Sequence, residues 1–186
     1  EAIGFCRAHG IGGFRVNSQI LPLKTHPRLG YSTKLLGEET IALFHKAGQL
    51  ARRENIRLSF PPDQFVVLSS PRPEVVQSSL AEIEYQAEVA AWIGADVINI
   101  HAGGAYGDKA AALARLSENV SRLSRRARSR LTLENDDRIY TPQDLLPICQ
   151  TLRIPLVYDI HHHRCLGDEL DPASATRLAL ESWQRE

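Results

Sequence analysis

Two hydrophobic periods alternate along this chain. Short apolar runs occur at Gly12–Val16, Ile56–Phe60, Asp96–Ile100, Leu131–Leu133 and Pro155–Tyr158. Each is too short for a globular helix, and several are rich in branched residues, which predicts buried parallel strands. Between them, apolar residues recur every three or four positions. Glu38–Glu54 carries Ile41, Phe44, Ala47, Leu50 and Ala51 at that spacing, and a longer stretch from Pro73 to Ile93 carries Val76, Leu80, Ile83, Ala87 and Ala90. Further helices are predicted over Glu1–His9, about Asp108–Ala127, Thr141–Leu152 and Asp171–Trp183. Their punctuation agrees with helix-end chemistry: Gly10 and Gly94 close two of them, Thr141 and Asp171 cap two others, and Pro73 and Pro142 fit first-turn positions.

Strict alternation of strand and helix with short links predicts a parallel sheet with right-handed crossovers. A closed (β/α)8 barrel takes eight such units and typically about 250 residues. The expectation is therefore an α/β fold of TIM-barrel type, an incomplete barrel of about five parallel strands, forming one domain over residues 1–186. An open sheet leaves two edges unpaired, so self-association through them is a further expectation.

Three of the runs end on side chains that bind metals. Val97–Ile100 leads into His101, Leu131–Leu133 into Glu134, and Leu156–Tyr158 into Asp159 followed by His161, His162 and His163. On a parallel sheet these C-terminal ends share one rim, where barrel enzymes build their active sites. Imidazole combined with carboxylate favours zinc, manganese or iron over calcium. Blander readings stand beside this one. A lone strand-end histidine is commonly a satisfied polar residue, and Asn135, Asp136 and Asp137 are accounted for mostly by turn chemistry. Gly103-Gly104-Ala105-Tyr106-Gly107-Asp108 permits close backbone approach to a ligand but matches neither a P-loop nor a dinucleotide fingerprint. Lys109 can contact a phosphate or stand as a solvated first-turn residue. His9 and His45 fall in helical patterns away from the rim and read as structural.

Composition changes this picture little. The 186 residues are 43% hydrophobic and 24% charged with zero formal net charge, so bulk charge neither points to nor excludes a polyanionic partner. The basic run Arg122, Arg125, Arg126, Arg128 and Arg130 reads first as a solvated helix face. Cys6, Cys149 and Cys165 are odd in number and lack CxxC spacing, which argues for a reducing, cytoplasmic setting rather than a disulfide framework. Neither a signal peptide nor a membrane span is expected.

At the level of motifs the chain resembles the ultraviolet-damage endonuclease family. The resemblance runs through Phe14-Arg15-Val16-Asn17-Ser18, Leu21-Pro22-Leu23 with His26-Pro27, Leu58-Ser59-Phe60 with Pro62-Asp63-Gln64-Phe65, His101-Ala102-Gly103-Gly104, Leu133-Glu134-Asn135-Asp136 and Asp159-Ile160-His161-His162. These blocks keep the family order over essentially the whole chain. The resemblance implies a TIM barrel related to endonuclease IV that cuts damaged double-stranded DNA 5′ of a photoproduct, using up to three divalent metals. Manganese is the first expectation, with zinc or magnesium as alternatives.

It further implies metal contacts at His26, His101, Glu134, Asp159 and His162, with Glu134, His101 and Asp159 as the catalytic group. Gln64 and Phe65 correspond to the lesion-probing loop, with Arg15, Tyr106 and Lys109 as further DNA contacts. Two departures stand out. Pro61 occupies a position where the family has a ligand histidine, and the family's first strand and last two strands are absent. Weak metal binding and little nicking by the isolated chain are therefore expected. The alternatives are a metal-dependent sugar isomerase or epimerase on the same barrel, or a non-catalytic DNA-binding remnant.

Overall fold

The five apolar runs form one parallel sheet whose strands lie side by side in chain order. The computed structural model describes residues 1–62 and 65–183, and within these the strands are β1 (Gly13–Arg15), β2 (Arg57–Phe60), β3 (Val97–His101), β4 (Leu131–Glu134) and β5 (Leu156–Val157). Sequential order without reversal is the arrangement of a barrel wall, whereas a doubly wound sheet reverses direction at a switch point. The register Ser59↔Val97, Ile98↔Leu131, His101↔Glu134 and Glu134↔Val157 brings successive strand ends to one level. β1 and β5 each pair on one side only among the described residues.

Helices α1 (Ala2–Ala8), α2 (Gly37–Arg53), α3 (Pro73–Ile93), α4 (Lys109–Ser121), α5 (Arg125–Arg128), α6 (Pro142–Leu152), α7 (Ile160–Cys165) and α8 (Pro172–Ser182) connect and cover the strands, and a short 3-10 turn at Thr33–Leu36 precedes α2. Phe60, Ile98, Leu131, Leu133 and Leu156 are fully buried with Ile83 of α3, Leu116 of α4 and Leu145 of α6. Each such side chain withdraws apolar area worth roughly 1.5–3 kcal/mol from water. α2 and α3 touch backbone to backbone at Gly48, where a Cβ would lie 2.2 Å from the Ile93 carbonyl oxygen. None of the described helices is long and apolar enough to cross a membrane.

The expected helix ends are found. Pro73 begins α3 and Gly94, at φ 72°, closes it. Thr141 and Asp144 form a reciprocal capping box on α6, and Asp171 caps α8. Two expectations are corrected. The helix predicted over about Asp108–Ala127 is broken after Ser121. Ser124 caps α5 instead, and both its backbone N–H and its hydroxyl donate to the Glu84 carboxylate, at 2.6 and 2.7 Å. Those side-chain bonds offer the backbone an alternative to continuing the helix. The basic run is thereby split, and it lies ahead of β4, at the opposite end of the strands from the rim.

The second correction concerns the last strand. Its ladder ends at Val157, short of the expected Tyr158, and the histidine run that follows is helical. Asp159 is the reason: one carboxylate oxygen accepts from the His161 and His162 N–H groups at 2.7 and 2.9 Å, capping α7.

Candidate metal centre

Strand alternation puts Asn99 and His101 on one face of β3 and Thr132 and Glu134 on the matching face of β4, because residues two apart point the same way. The register pairs Asn99 with Thr132 and His101 with Glu134. β5 then delivers Asp159, and the first turn of α7 returns His162 toward the sheet. Glu134, Asp159 and His162 each offer a ligand atom, and these atoms lie within 4.8 Å of one another. His101 adjoins them: its Nε2 is 3.8 Å from Glu134 Oε2, and its ring centroid is 5.6 Å from that of His162. The two oxygens of Glu134 face different histidines, since Oε1 lies 4.0 Å from His162 Nδ1.

The surroundings orient these groups. His162 Nδ1–H donates to the Asn135 carbonyl at 2.8 Å, which leaves the Nε2 lone pair available for a cation. Asn135 is fully buried, and its side-chain amide pairs with the Asp159 backbone, accepting from N–H at 2.8 Å and donating to C=O at 2.9 Å. Turn chemistry was the sequence expectation for Asn135; it holds for Asp136, whose carboxylate accepts from the Arg138, Ile139 and Tyr140 N–H groups. Asn99 donates from Nδ2 to Glu134 Oε2 and accepts from the Thr132 hydroxyl at 2.8 Å.

Charge distribution follows from this packing. Partial burial pushes the His162 pKa down, but the Asn135 carbonyl and the charges of Asp159, Glu134 and Asp137 outweigh it and leave the imidazolium favoured above its ordinary value. For Asp159, burial pushes upward; the His162 and His161 N–H groups and the two imidazoles prevail, and its carboxyl is held below the usual range. The cluster is thus an anionic pair with an imidazole drawn toward protonation, a site that a divalent cation can enter by displacing a proton.

Other members of the expected set are placed differently. His26, on the long loop after β1, uses Nδ1 to accept from the Arg28 and Leu29 N–H groups at 3.2 and 3.1 Å. A neutral ring so bonded carries its proton on Nε2 and has no lone pair there for a metal. His26 is also outside the three-residue group. His163 is buried and structural: Nε2 is 2.9 Å from Asp168 and Nδ1 is 2.8 Å from the Tyr158 hydroxyl. Pro61 follows β2 at the same rim and offers no donor atom.

Of the expected DNA contacts, Phe65 is 74% exposed and Arg15 is exposed at the end of β1; Gln64 lies outside the described residues. Tyr106 is half exposed and sits at φ 53° between Gly103 and Gly107, both also at positive φ. A Cβ on Gly103 would meet Val67 and Ser69 side-chain atoms at 2.5 and 2.6 Å, so the loop after His101 is seated closely on the β2–α3 loop. Lys109 pairs within the fold: its ammonium is 2.6 Å from Asp144 and 5.6 Å from the centroid of the Tyr140 ring, which ties α4 to α6.

Sequence reasoning missed Asn99 and the bracketing role of Asn135. The signal for Asn99 was present, because a polar residue inside Val97–Ile100 shares the face of His101. Nothing comparable marks Asn135, whose partner is 24 residues away.

Comparison with known proteins places this geometry. The UV DNA damage endonuclease of Bacillus thuringiensis subsp. konkukian (strain 97-27) is 40% identical over 159 residues, which cover 84% of this chain and 49% of the relative. The chain spans about half the length of the curated Bacillus relatives it matches. The crystal structure of SacUVDE superposes with a TM-score of 0.91 at 31% identity, covering 98% of this chain and 63% of that one. D-psicose 3-epimerase from Clostridium cellulolyticum and endonuclease IV from Thermus thermophilus match at TM-scores of 0.70 and 0.69, both at 18% identity, and so share the TIM-barrel fold alone. They cover 96% and 97% of this chain, and 63% and 65% of the respective structures. The family model described as UV-endonuclease UvdE matches residues 1–186, and the chain belongs to that family.

Proposed function

We propose that this chain is the metal-holding portion of a DNA-repair endonuclease that acts on ultraviolet-damaged double-stranded DNA, nicking the backbone 5′ of photoproducts and related lesions. The observation that carries the reading is the convergence of Glu134, Asp159 and His162 beside His101, on the rim of a UvdE-family fold.

The donor set suits a divalent ion. Glu134, Asp159 and the Nε2 of His162 would hold one cation, and the second oxygen of Glu134 with His101 would hold part of a neighbouring site. Divalent metal, manganese first and zinc or magnesium otherwise, supplies positive charge to a phosphodiester and acidifies a bound water. The residues contribute orientation. Asn135 fixes His162 in the tautomer that exposes Nε2 and fixes the backbone of Asp159. His101 stands exposed above Glu134, positioned to reach a phosphate-bound centre. Phe65 offers an aromatic wedge whose insertion replaces lost stacking, at least cost where damage has already weakened the duplex. Arg15 and Tyr106 belong to the same DNA-facing rim in this reading, and the family motif assigns Gln64 to DNA contact as well.

The full three-metal site is not expected from these residues. Pro61 removes one ligand outright and His26 needs its ring turned before Nε2 can serve. Both support impaired nicking, and a non-catalytic damage-binding role is the second reading on the strength of Pro61. Among the described residues the outer edges of β1 and β5 are unpaired, which supports a sheet that is covered in the working protein, by further strands of a longer chain or by a second copy. Three free thiols, with Cys6 and Cys149 buried, support a reducing, cytoplasmic setting.

The test uses supercoiled plasmid, irradiated and unirradiated, with manganese. Preferential binding to irradiated DNA that Phe65→Ala abolishes, with nicking far below that of a full-length relative, is expected. Equal binding to both DNAs contradicts the damage-recognition reading, and nicking at the full-length rate contradicts impairment.

A further inference from the structure

Asn99 stands behind the candidate ligands rather than among them. It is half buried on β3, opposite the fully buried Thr132 of β4. The Thr132 hydroxyl donates to Asn99 Oδ1 at 2.8 Å, and Asn99 Nδ2 donates to Glu134 Oε2. Asn99, His101, Thr132 and Glu134 form two adjacent register pairs on one face of the sheet.

We infer that Asn99 is a positioning residue for the metal centre, with its amide anchored by Thr132, and that the pair holds the Glu134 carboxylate in its two-sided orientation. The inference rests on the reading of Glu134 as a metal ligand. A carboxylate on a strand end is free to spin about its last bond unless one oxygen is held. The Asn99 amide holds Oε2, which lies 3.8 Å from His101 Nε2, and thereby aims Oε1 toward His162. The amide would do the opposite if it were reversed, setting carbonyl oxygen against carboxylate. The carboxylate, which only accepts, itself selects the N–H-forward orientation, and the Thr132 hydroxyl, donating to Oδ1, anchors the other end of the amide so that it stays against Glu134. Partners of this kind commonly change metal affinity by about 10–100-fold when removed.

The experiment titrates Mn²⁺ into the metal-free full chain and reads unbound Mn²⁺ by its paramagnetic resonance signal, with metal-free Tm measured in parallel. Asn99→Leu is expected to weaken Mn²⁺ binding by about tenfold or more. Thr132→Val and Thr132→Ser separate orientation from packing. Valine keeps the shape and loses the hydroxyl; serine keeps the hydroxyl and loses a methyl. Serine is expected to bind Mn²⁺ within about twofold of the parent and valine to bind several-fold more weakly, even where valine gives the higher Tm. The reverse order in affinity, tracking Tm, overturns the inference. Should Asn99→Leu fail to fold, the Thr132 pair decides alone. Glu134→Gln distinguishes the levels. If it loses binding while Asn99→Leu and Thr132→Val bind like the parent, only the positioning role falls. If the parent binds no Mn²⁺, or Glu134→Gln binds as well as the parent, the metal-centre reading fails and this inference with it.

Discussion

The side-chain amide of Asn135 brackets the backbone of Asp159, accepting from its N–H at 2.8 Å and donating to its carbonyl at 2.9 Å. The amide thus imitates one more peptide unit of β4 at the point where the β4–β5 ladder stops. The same residue's own carbonyl receives His162 Nδ1–H. One buried asparagine therefore ties together the two segments that supply Glu134, Asp159 and His162. Asn135→Ala leaves the Asp159 N–H without this partner, at about 1–3 kcal/mol, while the Asp159 carbonyl keeps the His163 N–H at 3.1 Å. A loss of roughly 1–3 kcal/mol in urea unfolding is expected, together with weaker Mn²⁺ binding. Unchanged stability would show that the bracket contributes nothing.

The opposed charge preferences of Asp159 and His162 give a pH signature. In the metal-free protein, His162 is raised above its ordinary 6.5, so its stabilisation is complete below that value and is lost as pH rises through the folded pKa. Asp159 is lowered from 3.8, so its stabilisation is present above that value and is lost as pH falls through the folded pKa. Metal binding runs against His162, since the cation takes the place of its proton. Rising pH should therefore lower metal-free Tm and strengthen Mn²⁺ binding over the same interval. Thermal melts and Mn²⁺ titrations between about pH 6 and 8 check both, and His162→Gln should flatten both trends.

Pro61 directly follows β2, at the position to which the family resemblance assigns a ligand histidine. Pro61→His adds a donor at the rim and is expected to strengthen Mn²⁺ binding on the order of tenfold or more and to raise nicking of irradiated plasmid. Calorimetry and gel densitometry read the two effects. No gain in either would mean that Pro61 is not what limits the site.

The close crossing of α2 and α3 tests the fold independently of the chemistry. A methyl on Gly48 would lie 2.2 Å from the Ile93 carbonyl oxygen, inside any permitted contact, and the oxygen it meets belongs to the backbone of α3. Gly48→Ala must push the helices apart, at about 1–3 kcal/mol, despite alanine's better helix propensity. A circular-dichroism melt with Tm unchanged or raised would contradict this packing.

Much of the architecture was legible because it rests on local signals. The apolar runs marked all five strands, and Gly94, Thr141, Pro142 and Asp171 marked helix ends through their own backbone chemistry. The rim was legible for the same reason, since His101, Glu134 and Asp159 close apolar runs. What escaped depends on partners distant in sequence. Glu84 lies 40 residues from the Ser124 it bonds, so the break between α4 and α5 carried no local mark. Asn135 looked like turn chemistry beside Asp136, and only the fold brings Asp159 to its amide. The pairing of Lys109 with Asp144 at 2.6 Å likewise joins residues 35 apart in the chain. His26 matched the family motif, yet its loop turns Nδ1 onto its own backbone.

The cluster of Glu134, Asp159 and His162 is the centre on which the functional reading depends, and anomalous scattering addresses it directly. Crystals of this chain grown with Mn²⁺ and measured at the manganese edge should show a peak roughly 2.0–2.3 Å from a carboxylate oxygen of Glu134, a carboxylate oxygen of Asp159 and Nε2 of His162. A peak elsewhere, or none at that position with manganese in excess, would contradict it.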